Sequence, residues 1–309
     1  MSTDPVADRR VAPEARAGRP LQGQGIIAVR GADAVSFLQG QLTNDIRELG
    51  SRVVTAAYQT PQGRVIALVR VLAIADGCLA LLPRGLAAPV AARLSRYTLR
   101  AKARVEDVSG EFDVRAVIGT PFHELCATHG IDSHPGQTHV DTGEQHLIDR
   151  GGGRTLVLTP GPRAAGQDDI GAAWALAAIE AGDPEVWPET TESFTAHMLN
   201  LDLIGGVSFT KGCYTGQEIV ARTQHLGRVK RRLFRYRAAP ASAALAPPAP
   251  LEALHFGELK VGEIAQCSLA PDGGWECLAV VSLESRDLNL ASATGLQFMP
   301  APLPYAVPS

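Results

Sequence analysis

The sequence predicts an α+β fold that ends in a small β-barrel domain, and three patterns in its 309 residues support this. Two β-branched runs surround a Pro-Gln-Gly turn at 61–63, which indicates a β-hairpin. Helical segments with apolar stripes alternate with short strands up to residue 227. Beyond that point only short β-like runs, Gly turns and an Ala/Pro/Ser stretch at 238–250 follow. We expect a β-barrel over 228–309, because each of these strands is too short to form a core alone.

The first α+β unit is predicted over residues 21–110. A strand at 25–31 precedes a short helix that Asp33 can cap. The strand after the hairpin turn is nearly all apolar, so both of its faces should be buried. A helix beginning near residue 85 should end close to Tyr97 or Leu99.

The second α+β unit is predicted over residues 111–227. It contains short strands at 112–119 and 154–160. Asp168 or Asp169 is expected to cap a helix that carries Trp174 and ends at Gly182. Most helical tryptophans belong to a core, but a tryptophan beside a pocket can also stack on a heteroaromatic ring.

A loop of this second unit contains five of the eight histidines, namely His123, His129, His134, His139 and His146. No two of them are spaced i, i+4 on a helix and no cysteine joins them, so we expect solvated loop histidines rather than a metal site.

The bulk composition excludes some classes of protein. A net charge of -3 gives no global attraction to nucleic acid or membrane. The five cysteines are widely spaced and lack a C-x-x-C pair, which argues against a disulfide framework and for a reducing compartment. Residues 1–20 lack the apolar stretch of a signal peptide, so we expect a disordered tail. The longest apolar stretch, at 65–75, is too short to span a bilayer and contains Arg70. The predicted location is cytoplasmic, without membrane association.

Cys213 lies in an informative local pattern. Thr215 and Glu218 fit a capping box, so a helix should begin at Thr215 and end at Gly227. The thiol would then lie two residues before the cap, where the helix dipole and Lys211 favour a thiolate. The alternative is a small apolar side chain packed under the helix. The residues by themselves leave both interpretations open.

A basic strip lies just beyond this helix. It spans ten residues without an acid and contains Arg228, Lys230, Arg231, Arg232, Arg235 and Arg237. Such a run is usually solvated surface, but it could also bind a polyanion such as a polyglutamate tail or RNA phosphates.

Three segments carry a resemblance to a known family. They are LNLDLIGGVSFTKGCYTGQEIVART at 199–223, FLQGQLTND at 37–45 and YQTPQGRV at 58–65. Together they resemble the YgfZ family of folate-binding, iron-sulfur-related proteins. That family is similar to the T-protein, the aminomethyltransferase of the glycine cleavage system.

The resemblance implies a three-domain cloverleaf, with two α+β domains and a C-terminal β-barrel around a channel that holds tetrahydrofolate or a derivative. It implies a role in making or repairing iron-sulfur enzymes, including one that modifies tRNA, with Cys213 as the functional thiol and Lys211 beside it. Trp174 would line the folate site, and Asn44 and Tyr58 are assigned to it because they lie in matching motifs. Gln24 stands where a second folate-lining aromatic residue is expected.

Two departures bear on the chemistry. T-proteins carry an acidic pair after the hairpin turn, where this sequence has Ala67 and Leu68, which can neither accept a proton nor stabilise a cation. Their glycine-rich loop is also replaced near residues 153–156. Our leading hypothesis is therefore a folate-binding accessory protein whose partners are iron-sulfur enzymes or assembly factors. The alternatives are a one-carbon (aminomethyl) transferase and a tRNA-binding module that uses Arg228, Lys230, Arg231 and Arg232.

Overall fold

The computed structural model describes residues 18–163, 169–225, 227–240 and 247–308. In chain order its strands are β1 Arg19–Pro20, β2 Gln24–Arg30, β3 Val54–Gln59, β4 Val65–Ile74, β5 Gly77–Pro83, β6 Arg104–Asp107, β7 Phe112–Ile118, β8 His139–Asp141, β9 His146–Asp149, β10 Arg154–Pro160, β11 Arg231–Ala238, β12 Ala253–Phe256, β13 Leu259–Leu269, β14 Trp275–Ser282, β15 Leu290–Ser292 and β16 Gln297–Ala301. The α-helices are α1 Ala34–Gln39, α2 Arg84–Ser95, α3 Phe122–Thr128, α4 Gly171–Glu180 and α5 Gln217–His225, with 3₁₀ turns at Pro188–Thr190 and Leu283–Ser285.

The first sheet has the strand order β3-β4-β5-β2-β6, and all of its strand pairs are antiparallel. The hairpin predicted at the Pro-Gln-Gly turn is present as β3 and β4. The first eight residues of β4 are buried, so both of its faces pack as the apolar run predicts. Asp33 precedes α1 but does not cap it, because its carboxylate accepts the N–H of Lys102 instead.

The second sheet has the strand order β1-β7-β10-β9-β8. Its strands β7 and β10 coincide with the two predicted from the sequence. The helix that carries Trp174 is α4, and Gly182 follows it with φ +62 and donates its N–H to Ile179. Such a left-handed residue commonly ends a helix and suits glycine. Asp168, one of the two predicted caps, lies outside the described residues.

Two of the loop histidines are not solvated, contrary to expectation. Strands β8 and β9 pair antiparallel with Asp141 opposite His146, which makes His139 and His146 diagonal neighbours on one face. Both imidazoles are buried, and Nε2 of His139 lies 3.2 Å from Nδ1 of His146. Burial, assisted by His146, lowers the pKa of His139 to about 4. No group of three or more metal-ligating side chains gathers within the described ranges.

The C-terminal strands close into an antiparallel barrel with the order β11-β14-β13-β12-β15-β16. Cys267 of β13 and Cys277 of β14 stand directly opposite each other and form a disulfide. The expectation of no disulfide framework was therefore wrong for this pair, because strand register brings together cysteines that share no sequence motif. Cys78, Cys126 and Cys213 are free.

The three β-structures meet around α4. This helix packs against β13 and β14 of the barrel and also contacts β7. The hydroxyl of Ser268 donates to the carbonyl of Ala172, and the Gln266 side chain accepts the N–H of Glu185. Near the C-terminus, the Tyr305 hydroxyl donates to the carbonyl of Gly182. Trp174 and Ile179 of this helix also belong to core clusters that include residues of the first sheet, so α4 contacts all three β-structures.

The structure shortens the predicted N-terminal tail. Residues 1–17 lie outside the described residues, but Arg19 and Pro20 pair with β7, so the tail does not reach residue 20. The domain limits 21–110, 111–227 and 228–309 stay predictions. Among the described residues, no helix is both long and apolar enough to cross a bilayer.

Candidate functional site

A cavity of about 330 Å³ lies where the first two sheets and the barrel meet. The first unit contributes Gln24 and Pro83, α4 contributes Trp174 and Ala178, and β13 contributes Gln266. This volume lies at the lower end of the range for small-molecule pockets. Its position explains why no single stretch of sequence reveals it, because the lining comes from segments more than 200 residues apart.

Trp174 forms one wall of this cavity. Its side chain is largely buried in the core shared by β2, β7 and β10. The guanidinium carbons of Arg150 and Arg154 lie 5.9 Å and 5.5 Å from the centre of its ring. Both distances are within the range of cation–π attraction. The indole is therefore fixed in orientation by charged neighbours while it still reaches the cavity.

Behind Trp174 lies an ionic cluster formed by Arg70, Arg150, Arg154, Asp183 and Glu185. Arg70 donates from Nη1 to both oxygens of Glu185, at 2.7 and 2.9 Å, and from Nη2 to Asp183 at 2.7 Å. The other oxygen of Asp183 accepts from Arg150 and Arg154, each at 2.9 Å. Asp183 and Glu185 both line the cavity, so the cluster forms part of its wall.

The carboxylates of the cluster respond differently to burial. For Asp183, the attraction of three guanidinium groups outweighs desolvation and holds its pKa well below the usual range. For Glu185, desolvation outweighs the attraction of Arg70 and raises the pKa. The difference follows from geometry, because Asp183 touches all three arginines whereas Glu185 touches only Arg70. Asp183 is thus the anionic centre of the cluster.

Gln24 lies in the cavity wall, at the position where the resemblance expects an aromatic side chain. Its amide donates to the carbonyls of Leu82, at 2.7 Å, and Gly25, at 3.1 Å. The side chain is therefore held against the backbone of β5. One aromatic wall, Trp174, faces this position, and Trp187 also borders the cavity.

Lys211 lies in an unexpected environment. Its buried ammonium donates to the carbonyls of Gln39, Leu42 and Asn44 at 2.6–2.7 Å. Burial lowers its pKa to about 8, so most of it remains protonated at neutral pH. With all three donors used, Lys211 joins the cysteine loop to the chain that follows α1.

Cys213 is an exposed, free thiol on that loop. Helix α5 begins at Gln217 rather than at the predicted Thr215. Gly216 has a left-handed φ of +78, so it cannot belong to a right-handed helix that starts before it. The loop is held further by Gln59, whose amide donates to the carbonyl of Thr215 at 2.9 Å. The predicted end holds, since the N–H of Gly227 bonds to the carbonyl of Arg222.

Cys213 lies outside the lining of the Trp174 cavity. Helix α5 packs over the hairpin turn, with Ile219 facing Gly63, whereas the cavity cluster begins at Arg70. Seven residues of extended chain separate these points by roughly 20 Å. Cys213 is thus not part of the lining of the Trp174 cavity, and its role as the functional thiol stays a prediction.

Asn44 and Tyr58 also lie away from this cavity. The amide of Asn44 donates to the carbonyls of Thr55 and Gly205 at 2.8 and 2.7 Å. Tyr58 is buried in the core of the first unit, and burial raises the pKa of its hydroxyl. Here Asn44 fastens one loop to another, and Tyr58 packs inside the sheet.

Comparison with known proteins decides the family. No family model matches the chain. The tRNA-modifying protein YgfZ of Edwardsiella ictaluri (strain 93-146) is 30% identical over 300 residues, which cover 91% of this chain and 89% of that protein. The chain belongs to the YgfZ family. The tRNA-modifying protein YgfZ of Sodalis glossinidius (strain morsitans) is also 30% identical, over 93% of this chain and 92% of its own length.

The fold of this YgfZ-family chain is that of the aminomethyltransferases. The crystal structure of the glycine cleavage system aminomethyltransferase T from Bartonella henselae superposes with a TM-score of 0.67 at 16% identity, covering 92% of this chain and 83% of that one. The predictions of the family and of a three-domain cloverleaf with two α+β domains and a C-terminal β-barrel are thereby confirmed.

The basic strip of this YgfZ-family chain divides into two parts. Arg232 is largely buried in a two-bond pair with Asp202 at 2.8 and 2.9 Å, so its charge is already compensated within the protein. Arg235 pairs with Glu276, and Arg237 pairs with Asp272. The remaining residues, Arg228, Lys230 and Arg231, border a concave surface of about 720 Å³, whose lining also includes Arg232, Arg286 and the acidic Glu284.

Sequence reasoning missed the ionic cluster behind Trp174. One signal was present, because an arginine inside a buried apolar strand such as β4 must find a carboxylate partner. The acidic residues of the DPE sequence at 183–185 were candidates for it. Nothing local connects them, since Arg70 and Asp183 are 113 residues apart.

Proposed function

We propose that this chain is a cytoplasmic folate-binding accessory protein that supports the assembly or repair of iron-sulfur enzymes, and through them tRNA modification, with Cys213 as the functional thiol. The observation that carries the folate assignment is the cavity at the junction of the three β-structures, with Trp174 as its aromatic wall. A flat indole flanked by two guanidinium groups suits one of the flat rings of a folate, either its pterin or its benzoyl ring. The names of the relatives support the link to tRNA modification.

The folate assignment is tested by calorimetry with tetrahydrofolate under anaerobic conditions. Trp174→Ala removes the stacking surface, so we expect binding to weaken at least about 10-fold. Trp275→Phe is the matched control, because Trp275 is a barrel residue that does not line the cavity. Equal affinity of wild type and Trp174→Ala would refute this site.

The thiol assignment is tested in a deletion strain by measuring the activity of iron-sulfur enzymes. Cys213→Ser should fail to restore activity, whereas Cys78→Ala should restore it, because Cys78 is a buried core residue. Exposure of Cys213 supports access by a partner protein. Full complementation by Cys213→Ser would remove the thiol from the function.

The aminomethyltransferase alternative has weaker support. Ala67 and Leu68 are fully buried apolar residues of β4 and supply no carboxylate. Of the three carboxylates that line the cavity, Asp183 and Glu185 are paired with guanidinium groups, and Glu189 is exposed to solvent. A single-turnover assay with labelled methylene-tetrahydrofolate decides between the two, since transfer of label to an amine acceptor would favour the transferase.

A contribution from RNA binding is favoured by one observation, the part of the basic strip that forms no ion pair with any described residue. We place RNA phosphates at Arg228, Lys230 and Arg231, which border the same concave surface. Replacing all three with glutamine should reduce the salt slope of tRNA binding by about 0.7–0.9 per lost phosphate contact. Arg237→Gln is the matched control, because Arg237 is already paired with Asp272. A slope unchanged by the triple substitution would rule out this surface.

A further inference from the structure

Arg150 differs from the other two arginines of the ionic cluster in its number of acceptors. Arg70 donates to two carboxylates and to the carbonyl of Pro184. Arg154 donates to Asp183 and to the carbonyls of Arg150 and Gly151. Within the described residues, Arg150 has one acceptor, an oxygen of Asp183 at 2.9 Å that it shares with Arg154. Since a guanidinium carries five N–H donors, most of those on Arg150 lack a protein acceptor.

The charges of the cluster do not balance. Three guanidinium groups face two carboxylates, which leaves one positive charge in excess in a buried place. Asp149 borders the space on the far side, but among the described residues it forms no ion pair with the arginines of the cluster. Glu189 lies on the cavity lining and is exposed, so solvent screens it. An uncompensated buried charge is costly, and a ligand of opposite charge would offset that cost.

The Arg150 side chain borders the cavity. Its side chain is only 5% exposed, yet it lines both the Trp174 cavity and the space on the opposite side of the cluster. Burial and the neighbouring Arg70 lower its pKa to about 10, so it remains cationic at neutral pH. A group bound to Arg150 would lie beside the indole of Trp174.

We propose that Arg150 is the anion-binding residue of this cavity, and that its free N–H donors bind an oxyanion of the ligand. If the ligand is a folate, as the proposed function states, the oxyanion is a carboxylate of its benzoyl-glutamate part. Planar carboxylates match the two parallel donors of a guanidinium, and such charge-assisted pairs are the strong ones.

The cluster itself provides a test that separates binding from stability. Arg150→Gln leaves two guanidinium groups facing two carboxylates, so the unliganded protein should melt at the same or a higher temperature. Arg154→Gln also removes one charge but leaves the carbonyls of Arg150 and Gly151 without their donors, so it should melt lower. A purely structural role for Arg150 predicts that both variants melt lower.

The binding experiment compares two ligands by calorimetry. Tetrahydrofolate carries carboxylates, whereas tetrahydro-6-methylpterin has the ring system without them. Arg150→Gln should weaken tetrahydrofolate about 10- to 100-fold and change the methylpterin by less than about threefold. Arg150→Lys keeps the charge but loses the two parallel donors of the guanidinium, so its affinity for tetrahydrofolate should lie between those of wild type and Arg150→Gln. Arg96→Gln, at an exposed position away from this cavity, should match wild type.

Two results would overturn the inference. One is equal weakening of both ligands by Arg150→Gln, which would place the guanidinium against the pterin ring. The other is unchanged affinity for tetrahydrofolate. If wild type binds neither ligand, the proposed function fails, and 4-aminobenzoyl-glutamate then decides the matter for Arg150 separately. A melting temperature that rises with this compound in wild type but not in Arg150→Gln would support the inference, and no rise would overturn it.

Discussion

Removing Arg70 should destabilise this protein more than most single substitutions. Arg70 is 1% exposed, and it provides the only side-chain partner of Glu185 within the described chain. Arg70→Met keeps the length of the side chain but removes its bonds to Glu185, Asp183 and the carbonyl of Pro184. Breaking a buried ion pair by removing one partner typically costs about 3–5 kcal/mol, because the other charge stays buried.

The loss of unfolding free energy in Arg70→Met can be divided between the two carboxylates that Arg70 contacts. Asp183 keeps Arg150 and Arg154, so its loss is partial. Glu185 keeps only peptide contacts, among them its N–H bond to Gln266, so its carboxylate carries most of the cost. At about 2–4 °C per kcal/mol for a chain above 150 residues, the melting temperature should fall by roughly 6–20 °C.

The assay is thermal unfolding followed by circular dichroism, with urea unfolding as a second measure. The double variant Arg70→Met/Glu185→Met removes the stranded carboxylate together with its partner and should recover at least half of the lost stability. A loss below about 1 kcal/mol for Arg70→Met, or a double variant no more stable than the single one, would refute the reasoning.

Three further predictions concern other parts of the molecule. Burial depresses the pKa of His139 to about 4, so between pH 6.5 and 4 the unfolded chain binds a proton that the folded protein does not, and the free energy of unfolding should fall as the pH drops through this range. In melts at a series of acid pH values, His139→Phe should reduce the dependence of the melting temperature on pH. The same pH dependence in this variant and in wild type would contradict the prediction. Lys211→Met should speed modification of Cys213 by a disulfide reagent, because the loop loses three hydrogen bonds, and an unchanged rate would show that the loop is held by other contacts. Gly216→Ala should lower the melting temperature, since its φ is +78 and its Cβ would lie 2.5 Å from a carbonyl oxygen, whereas Gly212→Ala meets no atom within 4 Å and should melt like wild type.

The sequence predicted features that depend on neighbouring residues. The hairpin around residues 61–63, the buried strand that follows it and the helix end at Gly182 all appear where they were expected. Each is fixed by local chemistry, such as apolar runs or a residue that tolerates a left-handed conformation. Local reasoning failed at Thr215, because the conformation of Gly216 moves the helix start to Gln217.

The candidate site was predicted only in part. Trp174 and Gln24 both line the cavity, as the resemblance implied, whereas Cys213 and Tyr58 do not. The sequence also did not show which arginines of the basic strip form ion pairs, because a run of bases gives no sign that Arg232 pairs with Asp202, 30 residues away. Charge in a sequence indicates a capacity for pairing, but distance in the fold decides which charges remain free.

The sequence by itself determined the hairpin, the buried strand β4, the helix end at Gly182 and the family, because these depend on hydrophobic period, turn residues and a specific signature around Cys213. The tertiary structure alone decided that Arg70, Arg150 and Arg154 share two carboxylates, and that the thiol lies away from the cavity. The physical reason is that buried charges must be balanced by partners in three dimensions. Those partners lie on strands and loops up to 115 residues away, where no sequence spacing connects them.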